Sequence, residues 1–480
     1  MKTDMVGKKK FYINQYIKSR KNISGEKLIH RSILDESIKG NMVLKKIFTH
    51  KNVFIILMIF GCMMGSFSHT AFSSMLENIM KEFNLPASKS QWMTAVYSMT
   101  IGVTTVLSVF LTKNFERKKL FFVSMTVFAF GIVLSALSFN YLFIIIGRII
   151  QATGSGVVLT LSQVVLLGAY SKQKTGLVMG IYGFMLNLSS ALAPVITIML
   201  VKKISWQIIM WGILSLVMII FIVQIYLKKN QENNKKYSEK NTSVLRCVDT
   251  LSIKENITQV FKKIKNFDFI SFALSGISII LFMLSFTSIK QINNVCDVIK
   301  NILLITTGII LMIIFIRKQL KSKEPYINLK IFKNKKFMIV VLTSIFVYAV
   351  MMGTAVWFPI YIKRIAEADM QRVGMIMLPG ALFMAGSSAL GGWLYQKYGI
   401  RIIYAVSICS FVVAILTRNI VPLWVLFSMR SVGIGIIMMS MVAWGMKDIE
   451  KDCYSDGTAV ICSLRTVAGA FGTALTAILI

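Results

Sequence analysis

Two arginines stand alone inside long apolar runs. Arg148 lies in Tyr141–Leu167 and Arg430 in Leu423–Trp444, and neither run holds an acid. A charge at membrane depth costs at least about 2.5–3.5 kcal/mol, so such residues face a bundle interior or a cavity and act there. An arginine does not exchange its proton at ordinary pH. It can bond, orient, and tune how a neighbouring group holds a proton. Arg148 has Gln151 three residues on, then Gly154 and Gly156. Arg430 is followed by Gly433 and Gly435, has no glutamine companion, and lies nearer the middle of its run. Proton-coupled work needs a group that changes charge inside the membrane. The apolar runs hold no mid-run Asp or Glu; the nearest acids, Asp268, Asp456 and Glu77, stand at run edges. His69 is the one histidine at membrane depth, and an imidazole, with an ordinary pKa of about 6.5, suits a proton relay. Each residue also has a plainer reading. His69 can be satisfied by a helix neighbour, and Arg148 can be bonded to Gln151 or to backbone carbonyls between packed helices.

These side chains need long helices to hold them. The chain of 480 residues is 55% hydrophobic and 15% charged, where a soluble protein carries about 25% charge. Its mean hydropathy is +0.68. Thirteen runs reach the length of about 20 apolar residues that a spanning helix needs, beginning at Val53 and ending at Ile480. The expected organisation is a basic cytoplasmic tail (1–52), a six-helix bundle (53–228), a polar cytoplasmic linker (229–268), an extra two-helix hairpin (269–316), a cytoplasmic loop (317–336) and a second bundle (337–480). A basic turn precedes each lone arginine by about the same interval, which suggests two repeated halves around a midplane site.

The net charge of +34 would suggest nucleic acid in a soluble chain. Here the lysines cluster between the runs, as topology signals against anionic lipid. No basic patch is interleaved with a stacking platform, so no nucleic acid is expected as a partner. The same bias puts the N-terminus in the cytoplasm, with Lys202 and Lys203 running against it. An odd number of spans puts the C-terminus outside. The last run also ends without a polar flank, so a fourteenth helix is expected to be missing. Six scattered cysteines form no CxxC pair, and there is no phosphate loop, catalytic triad or metal cluster. The chain is not read as an enzyme, and no cofactor or metal is expected.

Several motifs resemble the major facilitator superfamily, and in particular its fourteen-helix drug:proton antiporter branch, the lincomycin-resistance-like group. The fourth-helix motif is similar in Arg148-Ile-Ile-Gln151-Ala-Thr-Gly154-Ser-Gly156. Gln91-Trp92 with Tyr97, Gly176 to Gly183, Ser205-Trp206, Pro325 to Phe337, and Arg465 to Ala474 resemble other helix openings and segments of that branch. The general motif Gly-x-Leu-x-Asp-Arg-x-Gly-Arg keeps Leu111, with Val109, Lys113, Asn114 and Glu116 in its Gly, Asp, Arg and Gly places. The second-half copy, Gly392 to Arg401, is cleaner, with Gln396 in the Asp place. The first-helix acid of the branch reads Ser68 here, and the antiporter motif of the fifth helix survives only as Ala193-Pro194.

The resemblance implies an all-α polytopic membrane protein of the major facilitator fold. Two pseudo-symmetric bundles would flank a central extra hairpin, with about 13 spans present. It implies a secondary active transporter in the plasma membrane, working as a monomer. Proton-coupled efflux of lipophilic drugs or toxic compounds would proceed by alternating access, with a small lipophilic substrate, protons and membrane lipid as partners. In that reading Arg148, Gln151 and His69 are proton-coupling candidates. Ser68, Gly154, Gly156, Pro194 and Arg430 are cavity or hinge candidates. Arg117, Lys118, Gly392, Lys397, Gly399 and Arg401 are a cytoplasmic gate, its cations latching the halves through acids or helix C-termini. The glycines serve equally for close helix packing, Pro194 as a tolerated kink, and the gate cations as topology signals. Absent acids and eroded motifs leave two other functions open: a non-transporting receptor or scaffold of the same fold, and an uptake carrier for a small metabolite.

Overall fold

The computed structural model describes residues 50–201, 203–239, 267–288, 294–322, 325–366, 370–417 and 422–479. The tail expected at 1–52 and the linker expected at 229–268 lie largely outside them. Contacts divide the chain into two units, residues 1–56 and 57–480. Only the opening of one helix is described in the first unit, and the contacts below belong to the second.

Lipid offers no partner to a free N–H or C=O, so each apolar run closes its hydrogen bonds within a helix. The described residues hold thirteen α-helices and no strand. In chain order these are α1 (His50–Glu82), α2 (Ala87–Asn114), α3 (Arg117–Ala136), α4 (Tyr141–Ala169), α5 (Thr175–Val201), α6 (Trp206–Glu239), α7 (Phe269–Ser288), α8 (Val295–Lys321), α9 (Lys335–Ala366), α10 (Met370–Tyr398), α11 (Ile400–Leu416), α12 (Leu423–Gly445) and α13 (Tyr454–Leu479). Twelve are long and apolar enough to cross a membrane, while α11, at 17 residues, is shorter. It rises about 26 Å, just under the roughly 30 Å hydrocarbon core. Large apolar side chains such as Leu142, Leu303 and Phe346 remain exposed, as a lipid-facing surface requires.

Local chemistry sets the turns. Asn140 opens α4 by accepting a hydrogen bond from the Phe143 N–H at 3.0 Å. Gly399 joins α10 to α11 at φ +82°, a backbone that a side chain would strain. Glu82, ending α1, accepts from the Trp206 indole at 2.5 Å and from the Gln207 amide at 2.8 Å. These bonds tie the start of α6 to the end of α1.

Two halves follow from the packing. Helices α2 and α3 pack on α4, as α10 and α11 pack on α12. Across the seam α2 meets α13, and α5 meets α10. Exchanging α2 with α10 and α5 with α13 converts one seam contact into the other, which is the pseudo-symmetry of the halves. The α7–α8 hairpin packs against α2 and α13 beside that seam. The α5–α10 approach depends on missing side chains: a Cβ on Gly392 would lie 2.8 Å from the Gly180 Cα, the small-residue packing of membrane helices.

Candidate functional site

Arg148 is the eighth residue of α4, about 10 Å in from the Asn140 turn. It is fully buried. Its Nη1 donates to Gln151 Oε1 at 2.7 Å, and Gln151 Nε2 donates to Ser68 Oγ at 2.6 Å. The guanidinium stands 3.9 Å from the Tyr97 ring centre and 4.3 Å from that of Phe72. His69 stacks on the same Tyr97, with ring centres 4.8 Å apart, and its Nε2 lies 3.5 Å from Ser98 Oγ. The Tyr97 hydroxyl donates to the Gly65 carbonyl at 3.2 Å. Gly131 of α3 leaves the space that Gln151 fills, since a Cβ there would lie 2.6 Å from the Gln151 Cα.

Magnitudes explain how this charge persists without an acid. Insertion costs about 2.5–3.5 kcal/mol. Each ring contact returns about 0.5–2 kcal/mol, and a hydrogen bond to a charged group about 1.5–3 kcal/mol. The sum matches the cost. Nε and Nη2 have no hydrogen-bond partner among the described residues.

Arg430 is the eighth residue of α12. Both helices start seven residues before their arginine, and because α12 is the shorter helix Arg430 lies nearer the middle of its own, as expected. Its surroundings differ. It is half-buried, sits 4.7 Å from the Phe427 ring centre, and leaves Nε and Nη1 unpartnered among the described residues. Gly154 and Gly156 are packing positions. A Cβ on Gly154 would lie 2.6 Å from the Phe128 nitrogen of α3, and one on Gly156 3.0 Å from Thr104 Cβ of α2. Pro194 lies inside α5, which continues to Val201.

The basic-loop face holds the sharpest departure from expectation. Lys397 lies over the rings of Trp393 (5.2 Å) and Tyr398 (5.0 Å), Arg401 and Lys118 are exposed, and Lys119 pairs locally with Glu116 at 3.3 Å. The ion pair that crosses the seam is Lys113–Asp456, at 2.8 Å. Asp456 is fully buried in the first turn of α13 and also accepts from the Asn328 N–H at 3.0 Å. Lys113 fills the Asp place of the motif, so the acid has changed sides. Helix polarity favours this arrangement, with a cation at the end of α2 and a carboxylate at the start of α13. A cavity of about 500 Å³ adjoins the pair, lined among others by Lys113, Arg117, Lys451 and Asp456. Read from sequence, Lys113 is only a topology signal and Asp456 only an edge acid; the reversed motif position was the available clue.

Two further pairs on this face carry shifted carboxyls. Lys336, 2.5 Å from Asp448, holds that carboxyl below the usual carboxylate range. Burial pushes the Asp268 carboxyl up, but hydrogen bonds from Lys318 and Ser271 outweigh it and hold it low.

A polar cluster at the seam was not assembled from the sequence, where Arg465 stands only as the start of a motif. Arg465 of α13 donates from Nη2 to the Met438 carbonyl at 3.0 Å and to Ser344 Oγ at 3.3 Å. One turn away, the Cys462 thiol reaches Gln163 Oε1 of the first half at 3.7 Å. Tyr182 contacts Cys62 at 3.7 Å and lies within electrostatic reach of Arg465. A third arginine in an apolar run was the signal.

A family model described as Major Facilitator Superfamily matches residues 55–473. The chain belongs to that superfamily. It is a membrane transporter of this type, and the expected all-α fold of two related halves holds. The chain is 26% identical over 436 residues to the uncharacterized MFS-type transporter YcnB of Bacillus subtilis (strain 168), covering 89% of this chain and 85% of that protein. It is likewise 26% identical over 430 residues to the lincomycin resistance protein LmrB of the same strain, covering 88% and 84%. Among solved structures it is similar in fold to the human organic anion transporter MFSD10 (TETRAN), with a TM-score of 0.59, 10% identity, and coverage of 89% and 93%.

Proposed function

We propose that this facilitator exports lipophilic compounds across the plasma membrane by alternating access, driven by inward proton movement. The observation that carries the reading is the linked set Arg148–Gln151–Ser68, with His69 stacked on the Tyr97 ring that also covers Arg148. A fixed charge and a group able to take a proton share one ring at membrane depth. In this reading His69 carries the proton, while Arg148 and Gln151 relay the change to α1 through Ser68. The N-terminus and the basic loops face the cytoplasm, following the positive-inside rule. The Lys113–Asp456 bond and the Gly180–Gly392 contact then close the cytoplasmic side of the seam, and a single chain suffices for the cycle. Similarity to a lincomycin resistance protein supports drug-like cargo.

Vesicles loaded with lipophilic dyes of either charge, under an imposed pH gradient, test this. Efflux should fall when the gradient is collapsed, and His69→Ala should reduce gradient-driven efflux to the rate without a gradient. Transport unchanged by both treatments would sink proton coupling. If no dye moved at all, the scaffold reading would stand instead.

A further inference from the structure

We propose that the cargo carries an anionic group, and that Arg465 receives it at the seam between the halves. This rests on the transport reading above and specifies its substrate class. Three arginines, Arg148, Arg430 and Arg465, stand within the spans. Among the described residues the carboxylates stand at or beyond the ends of the apolar spans, as Glu77, Glu82, Asp268, Asp297 and Asp456 do. The interior is therefore positive, with no acid of its own to balance it. Each of the three guanidinium groups also keeps at least one N–H with no partner among the described residues. A free N–H on a buried guanidinium favours an anionic acceptor.

Position selects Arg465 from the three. Arg148 is enclosed by rings of its own half, and Gln151 already occupies Nη1. Arg430 stands over Phe427, whose apolar cluster with Phe358, Ile362 and Val373 belongs to the second half alone. Arg465 lies where both halves contribute. Nη2 is anchored on Met438 and Ser344 of the second half, Tyr182 of the first half and Tyr348 of the second are its electrostatic neighbours, and Nε is free of partners within the described residues. The side chain is 5% exposed. Its anchored edge fixes the plane, leaving the Nε N–H for a ligand. Such a site suits a carboxylate or a similar oxyanion, because the guanidinium takes the charge.

The test uses the full chain, purified in nanodiscs, and three isosteric probes: naphthoate, naphthamide and naphthylmethylammonium. Naphthoate should bind at least about tenfold more tightly than naphthamide, the loss expected for a hydrogen bond to a charged group. Arg465→Gln should erase that preference, since the amide is polar but carries no charge. Arg465→Lys should keep part of it. Equal binding of acid and amide by the unaltered chain, or a preference intact in Arg465→Gln, would overturn the assignment without any question of variant folding. Proteoliposomes separate this from the transport reading. If the ammonium probe moves and naphthoate does not, the anion assignment falls and transport stands. If naphthoate binds as expected but no probe moves, the site stands and transport falls.

Discussion

Arg148 and Arg430 occupy equivalent places in α4 and α12, eight residues in from the helix start, yet only one is held. Arg148 has two rings and a glutamine that reaches a second helix. Arg430 has one ring, from its own helix. The residue three positions on accounts for much of this: Gln151 in the first half, Gly433 in the second. That glycine is occupied by packing, since a Cβ on it would lie 3.1 Å from the Ser407 carbonyl and 3.2 Å from Ser410 Cβ. One half thus uses the position for a polar link and the other for close helix contact. A repeated fold keeps the depth of a charge while its partners diverge.

The largest expected effect comes from removing each arginine in turn. Arg148→Ala should lower gradient-driven efflux by about tenfold or more, because a charged hydrogen bond of about 1.5–3 kcal/mol and the link to Ser68 are lost together. Arg430→Ala should cost severalfold less. Equal losses in a vesicle efflux assay would erase the contrast.

The second test tries to install the missing companion. Gly433→Gln should not make the second half resemble the first. The new side chain has no room against Ser407 and Ser410, so overpacking should lower stability by about 1–3 kcal/mol, read as the thermal midpoint of the detergent-solubilised chain. A stable Gly433→Gln protein with restored bonding at Arg430 would show that the glycine is incidental.

The smallest effect concerns the ion pairs, which repeat the contrast between held and open charges. Lys113–Asp456 is buried on its acid side, whereas Lys336–Asp448 is open to solvent. Lys336 depresses the Asp448 carboxyl. A depressed carboxyl contributes stability above its unfolded pKa of about 3.9, and that contribution is lost as pH falls through the lower folded value. Thermal midpoints of the unaltered chain and Asp448→Asn should therefore run parallel from pH 7 to 5, separated by less than about 1 kcal/mol, and converge below about pH 4. A gap that widens on acidification would contradict this pairing.

Much of the fold was legible beforehand because each helix declares itself locally. The run around Arg148 reads as a spanning helix, with its glutamine at helical spacing. The arginine–glutamine bond was one of the sequence's own readings, since residues three apart share a helix face. The gate was less legible. Lys397 turned out to lie on aromatic rings, and the acid that Lys113 reaches is 343 residues away. Arg465 looked like one more motif residue until Met438, Ser344 and Tyr182 surrounded it.

What the sequence determines by itself is which segments lie in lipid and how deep each charge sits. Those properties follow from run length and from the need of every backbone polar group for a partner within its own segment. Tertiary structure alone decided which charge is satisfied and by what. Phe72 and Tyr97 meet Arg148, and Asp456 meets Lys113, only because α1, α2, α4 and α13 pack as they do. That packing uses places where missing side chains let helices approach, Gly65 of α1 against Ser155 of α4 and Gly156 of α4 against Thr104 of α2. Such contacts join positions far apart in sequence and leave no periodic trace within either segment.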